Sequence, residues 1–286
     1  MSSVWQKGKP CIAFISGGAS GLGLHIAKFL IKEGTSVAIF DLGSDKQFIS
    51  ELRSIGVNKN QKIEYYQADV SDPKALDVAI DSAVKDIGIP DFALNSAGIL
   101  RTAVFTELPF ETFDQVIKVN LIGSRNFAAS TLKHMKSGSH LVLVASLAGI
   151  VGSYTQSAYA ASKFGVVGLA EVLRTEQKLQ GIDVSVICPG EIDTPLLKYE
   201  REHGNPITEV LNNFAGVLTV DDAVSGILAG LKKRQFMITP GFKAKLTRGL
   251  ARKTTSLFHW LVDHKLAKAY KKEEQDKQTS HTNIAS

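Results

Sequence analysis

Cysteine is scarce in this chain of 286 residues, which has Cys11 and Cys188 and no others. Each sits at the edge of an apolar run, so both read as small buried hydrophobes rather than as a disulfide or metal pair. Long apolar runs are missing too. The longest candidate, Leu141 to Gly152, spans 12 residues and contains Ser146, whereas crossing a bilayer takes about 18 or more. Met1 to Lys9 lack the apolar centre of an export signal. Together these absences point to a cytoplasmic, reducing compartment. No internal repeat or low-complexity linker breaks the chain, and nothing in it calls for a nucleic-acid partner.

What is present is the composition of one large α/β domain, with 44% hydrophobic and 21% charged residues. The net charge of +5 is unevenly placed. Between Phe242 and Lys272 there are nine Lys or Arg and one acid, Asp263, which leaves the remainder net negative. A mildly acidic body therefore carries a basic C-terminal extension.

Short apolar runs alternate with longer helical patterns. Strands are expected at 11–16, 36–41, 62–67, 92–95, 141–146, 184–188 and 236–239, with helices at 21–33, 46–55, 73–87, 110–136, 158–179 and 221–232. Nearly unbroken apolar, β-branched strands suit a parallel sheet buried on both faces. Right-handed crossovers wind the helices onto both sides, giving a doubly wound, seven-stranded Rossmann-like fold. The expected division is a dinucleotide-binding domain over 1–240, a basic amphipathic extension over 241–272 and a polar tail without regular structure over 273–286. Within the domain, 194–218 is too long for a simple turn and lies where ligands bind in such sheets, so it reads as a substrate lid.

Ser16, Gly17, Ser20, Gly21, Leu22 and Gly23 belong to a glycine-rich turn between the first strand and the first helix. Glycines let backbone approach a pyrophosphate, and the helix N-terminus offers unpaired N–H groups. The spacing is GxxxGxG, not GxGxxG, and a glycine turn alone also arises from packing. Asp41 ends the second strand, where a carboxylate can accept the adenosine ribose hydroxyls and repel the extra phosphate of NADP. Ser20 and Leu42, where a cation could receive that phosphate, are uncharged. NAD is therefore favoured over NADP, the alternative being that Asp41 is an ordinary turn residue.

Tyr159 and Lys163 lie four apart on one helix face. A phenol ionises near pKa ~10, and a neighbouring ammonium favours its anion, bringing it toward use as a proton carrier. Alone, such a pair also arises from an aliphatic stem packed on a ring. Its company argues for chemistry. Ser146 closes the fifth strand and can polarise a carbonyl. Asn95 to Gly98 close the fourth strand, Asn120 sits inside a long helix, and Pro189 to Thr194 follow the sixth strand. These polar groups converge on one edge of one sheet.

With these motifs the chain resembles the short-chain dehydrogenase/reductase family, in its compact single-domain branch, over roughly Pro10 to Pro240. It has Ser16 where the family usually has Thr, and Ser96 where the family usually has Asn. The resemblance implies that Tyr159 is the acid/base, that Lys163 lowers its pKa and binds the nicotinamide ribose, and that Ser146 orients the substrate oxygen. It implies that Asn120 holds a water in a relay through Lys163, and that Asp69, followed by Val70, contacts adenine. It further implies that Asn95 steadies the sheet, that Ala97 and Gly98 allow close approach of the cofactor, and that Pro189, Gly190, Ile192 and Thr194 hold the nicotinamide side. Such proteins are commonly homodimers or homotetramers built on the helices carrying Asn120 and Tyr159.

Leu100, Phe105, Leu147, Val151, Leu196, Leu197, Leu211 and Phe214 form an apolar set expected around the site, suited to a lipid, acyl or steroid-like substrate. They also read as packing of the lid onto the body. In the extension, Phe242, Leu246, Leu250, Leu257, Trp260 and Leu261 interleave with Lys245, Arg248, Arg252 and Lys253. A basic amphipathic helix with a tryptophan can make peripheral contact with an anionic membrane, or can dock on its own body or on a neighbouring subunit. The C-terminal third is faintly similar to 3-ketosphinganine reductases, which generally prefer NADPH. The resulting expectation is an NAD(H)-dependent oxidoreductase interconverting a secondary alcohol and a ketone, with no metal. The alternatives are a dinucleotide-binding scaffold without turnover, an epimerase or dehydratase of the same superfamily, and an NADPH-dependent reductase of the ketosphinganine type.

Overall fold

A computed structural model describes residues 4–43, 46–205, 207–208 and 216–284. Its centre is a parallel sheet of seven strands: β1 (Ile12–Ser16), β2 (Ser36–Asp41), β3 (Ile63–Gln67), β4 (Phe92–Asn95), β5 (His140–Val144), β6 (Asp183–Ile187) and, last in the chain, β9 (Met237–Ile238). Their spatial order is β3-β2-β1-β4-β5-β6-β9. The order reverses between β1 and β4, which opens a crevice at the carboxyl ends of those two strands. There Ser16 pairs with Asn95 in register. The doubly wound, seven-stranded sheet is as expected.

The strands alternate strictly between two apolar layers, since side chains along a strand point to opposite faces. On one face Phe14, Phe40, Leu141 and Leu143 pack with Leu76, Ile80, Phe127 and Val166. These come from α3 (Pro73–Asp86), α5 (Gly123–Leu132) and α6 (Ser157–Lys178). On the other face Ile15, Ile39, Leu94 and Val142 pack with Ile26, Leu30, Ile227 and Leu231. These come from α1 (Gly21–Lys32) and α8 (Val220–Lys232). The helix α2 (Lys46–Ser54) covers the β3 side through Leu52.

Several local departures from the sequence reading bear on the site. The single helix expected over 110–136 is α4 (Phe110–Ile117), then a π-helical turn over Lys118–Ile122, then α5. The wide turn holds Asn120, and the Ser124 hydroxyl donates to the Asn120 carbonyl at 2.5 Å, satisfying a group the widened spacing sets apart. Strand β5 stops at Val144, so Ser146 lies beyond it, as the cap of a short 3₁₀ turn over Leu147–Gly149, rather than closing the strand. Cys188 is buried, but Cys11 is exposed, against expectation. The sulfur of Cys11 contributes nothing to the core.

The lid begins with a two-stranded ribbon, β7 (Glu191–Ile192) paired with β8 (Val217–Leu218), and a helix α7 (Pro195–His203) started by Pro195. Two helices form the extension, α9 (Phe242–Lys253) and α10 (Thr255–Ile284). The latter runs through most of the stretch expected to lack regular structure.

Phe127 is fully buried and meets the Phe40 ring edge-on at 6.2 Å. Phe127→Ala is therefore expected to cost about 3–5 kcal/mol. A urea titration should show a lower midpoint with an unchanged slope.

Candidate functional site

A cleft of about 860 Å³ opens at the carboxyl edge of the sheet, over the reversal of strand order. The glycine turn forms its floor at one end. Gly17, at φ +65°, lies so close to the β4 turn that a Cβ would meet the Ala97 nitrogen at 2.4 Å. A side chain on Gly23 would meet the Gly17 carbonyl at 2.2 Å. Gly21, by contrast, faces open space at the start of α1. Ser20, the N-cap, makes no side-chain bond to the first-turn amides, and a helix start left this way favours an anionic group.

Asp41 reaches back over this turn from the end of β2. One carboxylate oxygen accepts the Ala19 amide at 2.9 Å and the other accepts the Leu42 amide at 2.8 Å. Each oxygen keeps acceptor capacity for a hydroxyl from the cleft. Asp69 is oriented by Ser71, whose amide and hydroxyl both donate to it at 2.8 Å. Asp69, Val70, Ala97 and Gly98 line the middle of the cleft, and Pro189, Gly190, Ile192 and Thr194 line its far wall. Thr194 is the N-cap of α7 and donates to the Ile192 carbonyl at 3.2 Å. The cleft thus offers an anion-binding end, a hydroxyl-accepting carboxylate and a long polar-edged wall, which fits a dinucleotide.

Ser146, Tyr159 and Lys163 meet in the middle. The Ser146 hydroxyl faces the Tyr159 phenol and favours its anion. The Lys163 ammonium lies 5.5 Å from the Tyr159 ring centroid and donates to the Val144 carbonyl at 3.0 Å. Two constraints fix this spacing. Gly149 lets the 3₁₀ turn after Ser146 press on α6, for a Cβ there would meet the Lys163 carbonyl at 2.5 Å. Thr155, two residues before α6, is held at φ +61°, a costly backbone state for a β-branched residue. Its hydroxyl pairs with that of Thr208 at 2.8 Å, and its carbonyl accepts the Ala103 amide at 3.0 Å.

Burial governs the electrostatics. It pushes the Tyr159 phenol up to about 12, with the Ser146 hydroxyl pulling it down and the Glu200 carboxylate pushing it further up. It pulls the Lys163 ammonium down to about 8. The lowering of the phenol expected from Lys163 is therefore not met in the chain by itself, where burial is the largest influence and raises it.

Four of the residues expected at the site stand behind it. Ser16 and Asn95 are fully buried and bonded to each other, and the Asn95 amide donates to the Ser124 hydroxyl at 2.7 Å. Gly23 packs under the glycine turn. Asn120 is buried: its Oδ1 accepts the Ile99 amide at 2.8 Å, and its Nδ2 donates to the Ile99 carbonyl at 2.9 Å and the Ser162 hydroxyl at 3.0 Å. Ser162 in turn donates to the Tyr159 carbonyl at 2.7 Å. The Asn120 side chain thus ties the β4 turn to α6.

Leu100, Leu147, Val151, Leu196 and Leu197 line the cleft as expected. Phe105 does not; it is 69% exposed on a 3₁₀ turn. Leu211 and Phe214 lie outside the described residues. The sequence reading missed Arg101, Gln156, Tyr199 and Glu200, and from the extension Thr247, Phe258 and Val262. The Arg101 guanidinium sits 4.9 Å over the Tyr199 ring, and Gln156 donates to Glu200, bonding α7 to the start of α6. In an amphipathic lid helix such polar residues look like a solvated face. What marks them is that α7 folds back over the strand ends.

Residues 11–205 match the family pattern described as short chain dehydrogenase. The chain is 32% identical over 192 residues to D-beta-hydroxybutyrate dehydrogenase of Cupriavidus necator, covering 66% of this chain and 74% of that protein. It is 31% identical over 234 residues to 3-dehydrosphinganine reductase TSC10B of Arabidopsis thaliana, covering 80% and 69%. Its fold matches 3-oxoacyl-[acyl-carrier protein] reductase from Brucella melitensis in complex with NAD, with a TM-score of 0.71 at 24% identity, covering 82% of this chain and 97% of that one.

The two shifted groups predict a signature in the ligand-free protein. The unfolded chain keeps the Lys163 proton up to about 10.5, while the folded chain releases it from about 8. More protons on the unfolded side mean that stability rises with pH in that window. Tyr159 acts the other way above 10, and Cys188, pushed by burial from 9.0 up to about 12, does so above 9. Urea midpoints of Lys163→Met should therefore lose a rise between pH 8 and 9 that the unmodified protein shows. Parallel curves for the two proteins would refute it.

Proposed function

Because the chain belongs to the short-chain dehydrogenase family, which acts on alcohols and ketones with a nicotinamide dinucleotide, we propose that it interconverts a hydrophobic secondary alcohol and its ketone, using NAD(H). The observation that carries this reading is the convergence of Ser146, Tyr159 and the buried Lys163 ammonium on one wall of a cleft that a dinucleotide fits. The dinucleotide supplies or accepts the hydride. The chain's residues do the rest. Ser146 donates to the substrate oxygen and fixes its position, and Tyr159 gives a proton to that oxygen in reduction or takes it in oxidation. In reduction the phenol starts protonated, the state that burial already favours. Lys163 would hold the adjacent ribose hydroxyls, and Asn120, through Ser162, holds the helix that carries both groups.

NAD over NADP rests on Asp41. Its carboxylate, fixed by two amides, meets the ribose hydroxyls and repels a phosphate at that place, and the neighbouring Leu42 is exposed and uncharged. The similarity to 3-dehydrosphinganine reductase TSC10B supports a second reading, a reductase for an amino-ketone lipid, since Leu100, Leu147, Leu197 and Phe258 give the cleft apolar walls. Self-association is supported by Phe164 and Val172 on α6 and by Ile122, all exposed on the helices around the site. Among the described residues no helix is long and apolar enough to cross a membrane. The reading for location is cytoplasmic, with peripheral membrane contact through the extension.

Tyr159→Phe is expected to lower kcat by about 10²–10⁴-fold while leaving NAD affinity within a few-fold, measured by NADH absorbance and by fluorescence titration. Unchanged turnover would sink the assignment. The same titration should place NADH ahead of NADPH, and Asp41→Ser should narrow or reverse the gap. Tighter NADPH binding by the unmodified chain would favour the ketosphinganine-type alternative.

A further inference from the structure

The two helices of the extension are each divided along their length. On α9, Ala244, Thr247 and Ala251 are buried and Arg248 bonds the body through the Thr239 hydroxyl at 3.1 Å. The opposite stripe, at i, i+3, i+4 and i+11, is Phe242, Lys245, Leu246 and Lys253, all exposed. On α10, Phe258 and Val262 line the cleft, one turn apart. Its other stripe is Leu257, Trp260, His264, Lys268 and Lys271, again all exposed. Trp260 is 61% exposed, with its ring stacked along His264 at 5.8 Å. Four large apolar side chains and four lysines thus occupy outer faces that are exposed among the described residues.

We infer that α9 and α10 lie on an anionic lipid surface and that α10 is a wall shared by that surface and the substrate cleft. The charge selects the occupant. Nine basic residues stand against one acid over 242–272, so the same face of a second copy would repel it, whereas anionic headgroups meet it with opposite charge. Lysines set between exposed Phe, Leu and Trp match an interface of anionic headgroups over acyl chains, where tryptophan rings settle. The same helix turns Leu257 and Trp260 outward and Phe258 and Val262 inward, so a hydrophobic substrate leaving the lipid meets the cleft after crossing one helix diameter, about 10 Å. The substrate-loading part rests on the function proposed above; the lipid contact does not.

Two tryptophans make this readable, because Trp5 is buried and Trp260 is exposed. Adding phosphatidylglycerol vesicles to the full chain at low salt should shift the emission to the blue. Phosphatidylcholine vesicles should not, and raising salt to about 1 M, where the Debye length is about 3 Å, should reverse the shift. Trp260→Phe should abolish the shift. Lys245→Glu with Lys253→Glu should weaken vesicle binding by about thirtyfold or more and leave turnover of a short, water-soluble ketone unchanged. For a long-chain ketone, the vesicles should raise kcat/KM in the unmodified protein but not in the double variant.

No blue shift with anionic vesicles overturns the lipid contact, as does a shift equally strong with phosphatidylcholine. Emission that is already blue and depends on protein concentration without vesicles assigns the face to a second copy and also overturns it. A salt-sensitive shift with no turnover of any ketone overturns the loading step and the proposed function while leaving the lipid contact standing.

Discussion

An ammonium group held out of water beside a phenol is the arrangement on which the rest of the site depends. Lys163 is 4% exposed and spends one hydrogen bond on the Val144 carbonyl, so its charge is carried against a desolvation cost. That cost has to be met by the fold. The sheet meets it by ending β5 at Val144, which turns a carbonyl toward the ammonium, and the glycine at 149 lets the following turn close on α6 without a clash. Ser146 then reaches Tyr159, and the three groups face one opening.

A second layer of polar residues keeps that layer in place. The run from Ser16 through Asn95 and Ser124 to the Asn120 carbonyl crosses from β1 to β4 to the π-helical turn. The Asn120 side chain continues it to Ile99 and Ser162, and Ser162 to Tyr159. Buried polar groups are tolerated when every donor and acceptor is used, and a satisfied network of this kind specifies one arrangement rather than several. The strand reversal that opens the crevice is therefore stitched at the place where parallel strands would otherwise be free to part.

The open side of the cleft is drawn partly from elements outside this shared frame. The family match ends at residue 205, and beyond it Thr247, Phe258 and Val262 return to the cleft. From within the match, α7 brings Tyr199 and Glu200 over the same opening, locked by Arg101 and Gln156. A scaffold common to many relatives thus forms the glycine-turn side of the cleft, and the appended helices add to the other side. Loops and additions carry specificity for the reason that the sheet cannot vary without losing the site.

The fold and the pairing of Tyr159 with Lys163 at one cleft were legible in the linear order of residues, because both follow from short-range rules. Period-two apolar runs separated by helical ones dictate a parallel sheet, and a four-residue spacing places Tyr159 and Lys163 on one face whatever surrounds them. Burial was not legible in the same way. That the phenol rises instead of falling, that Ser16 and Asn95 stand behind the wall and that Cys11 faces solvent depend on neighbours far away in the chain. The same holds for Phe258 and Glu200, which lie about 100 and 40 residues from Tyr159 and share its cleft only because the chain folds back over the strand ends. Sequence determines what a segment can form on its own; desolvation and long-range contact exist only once the segments have packed.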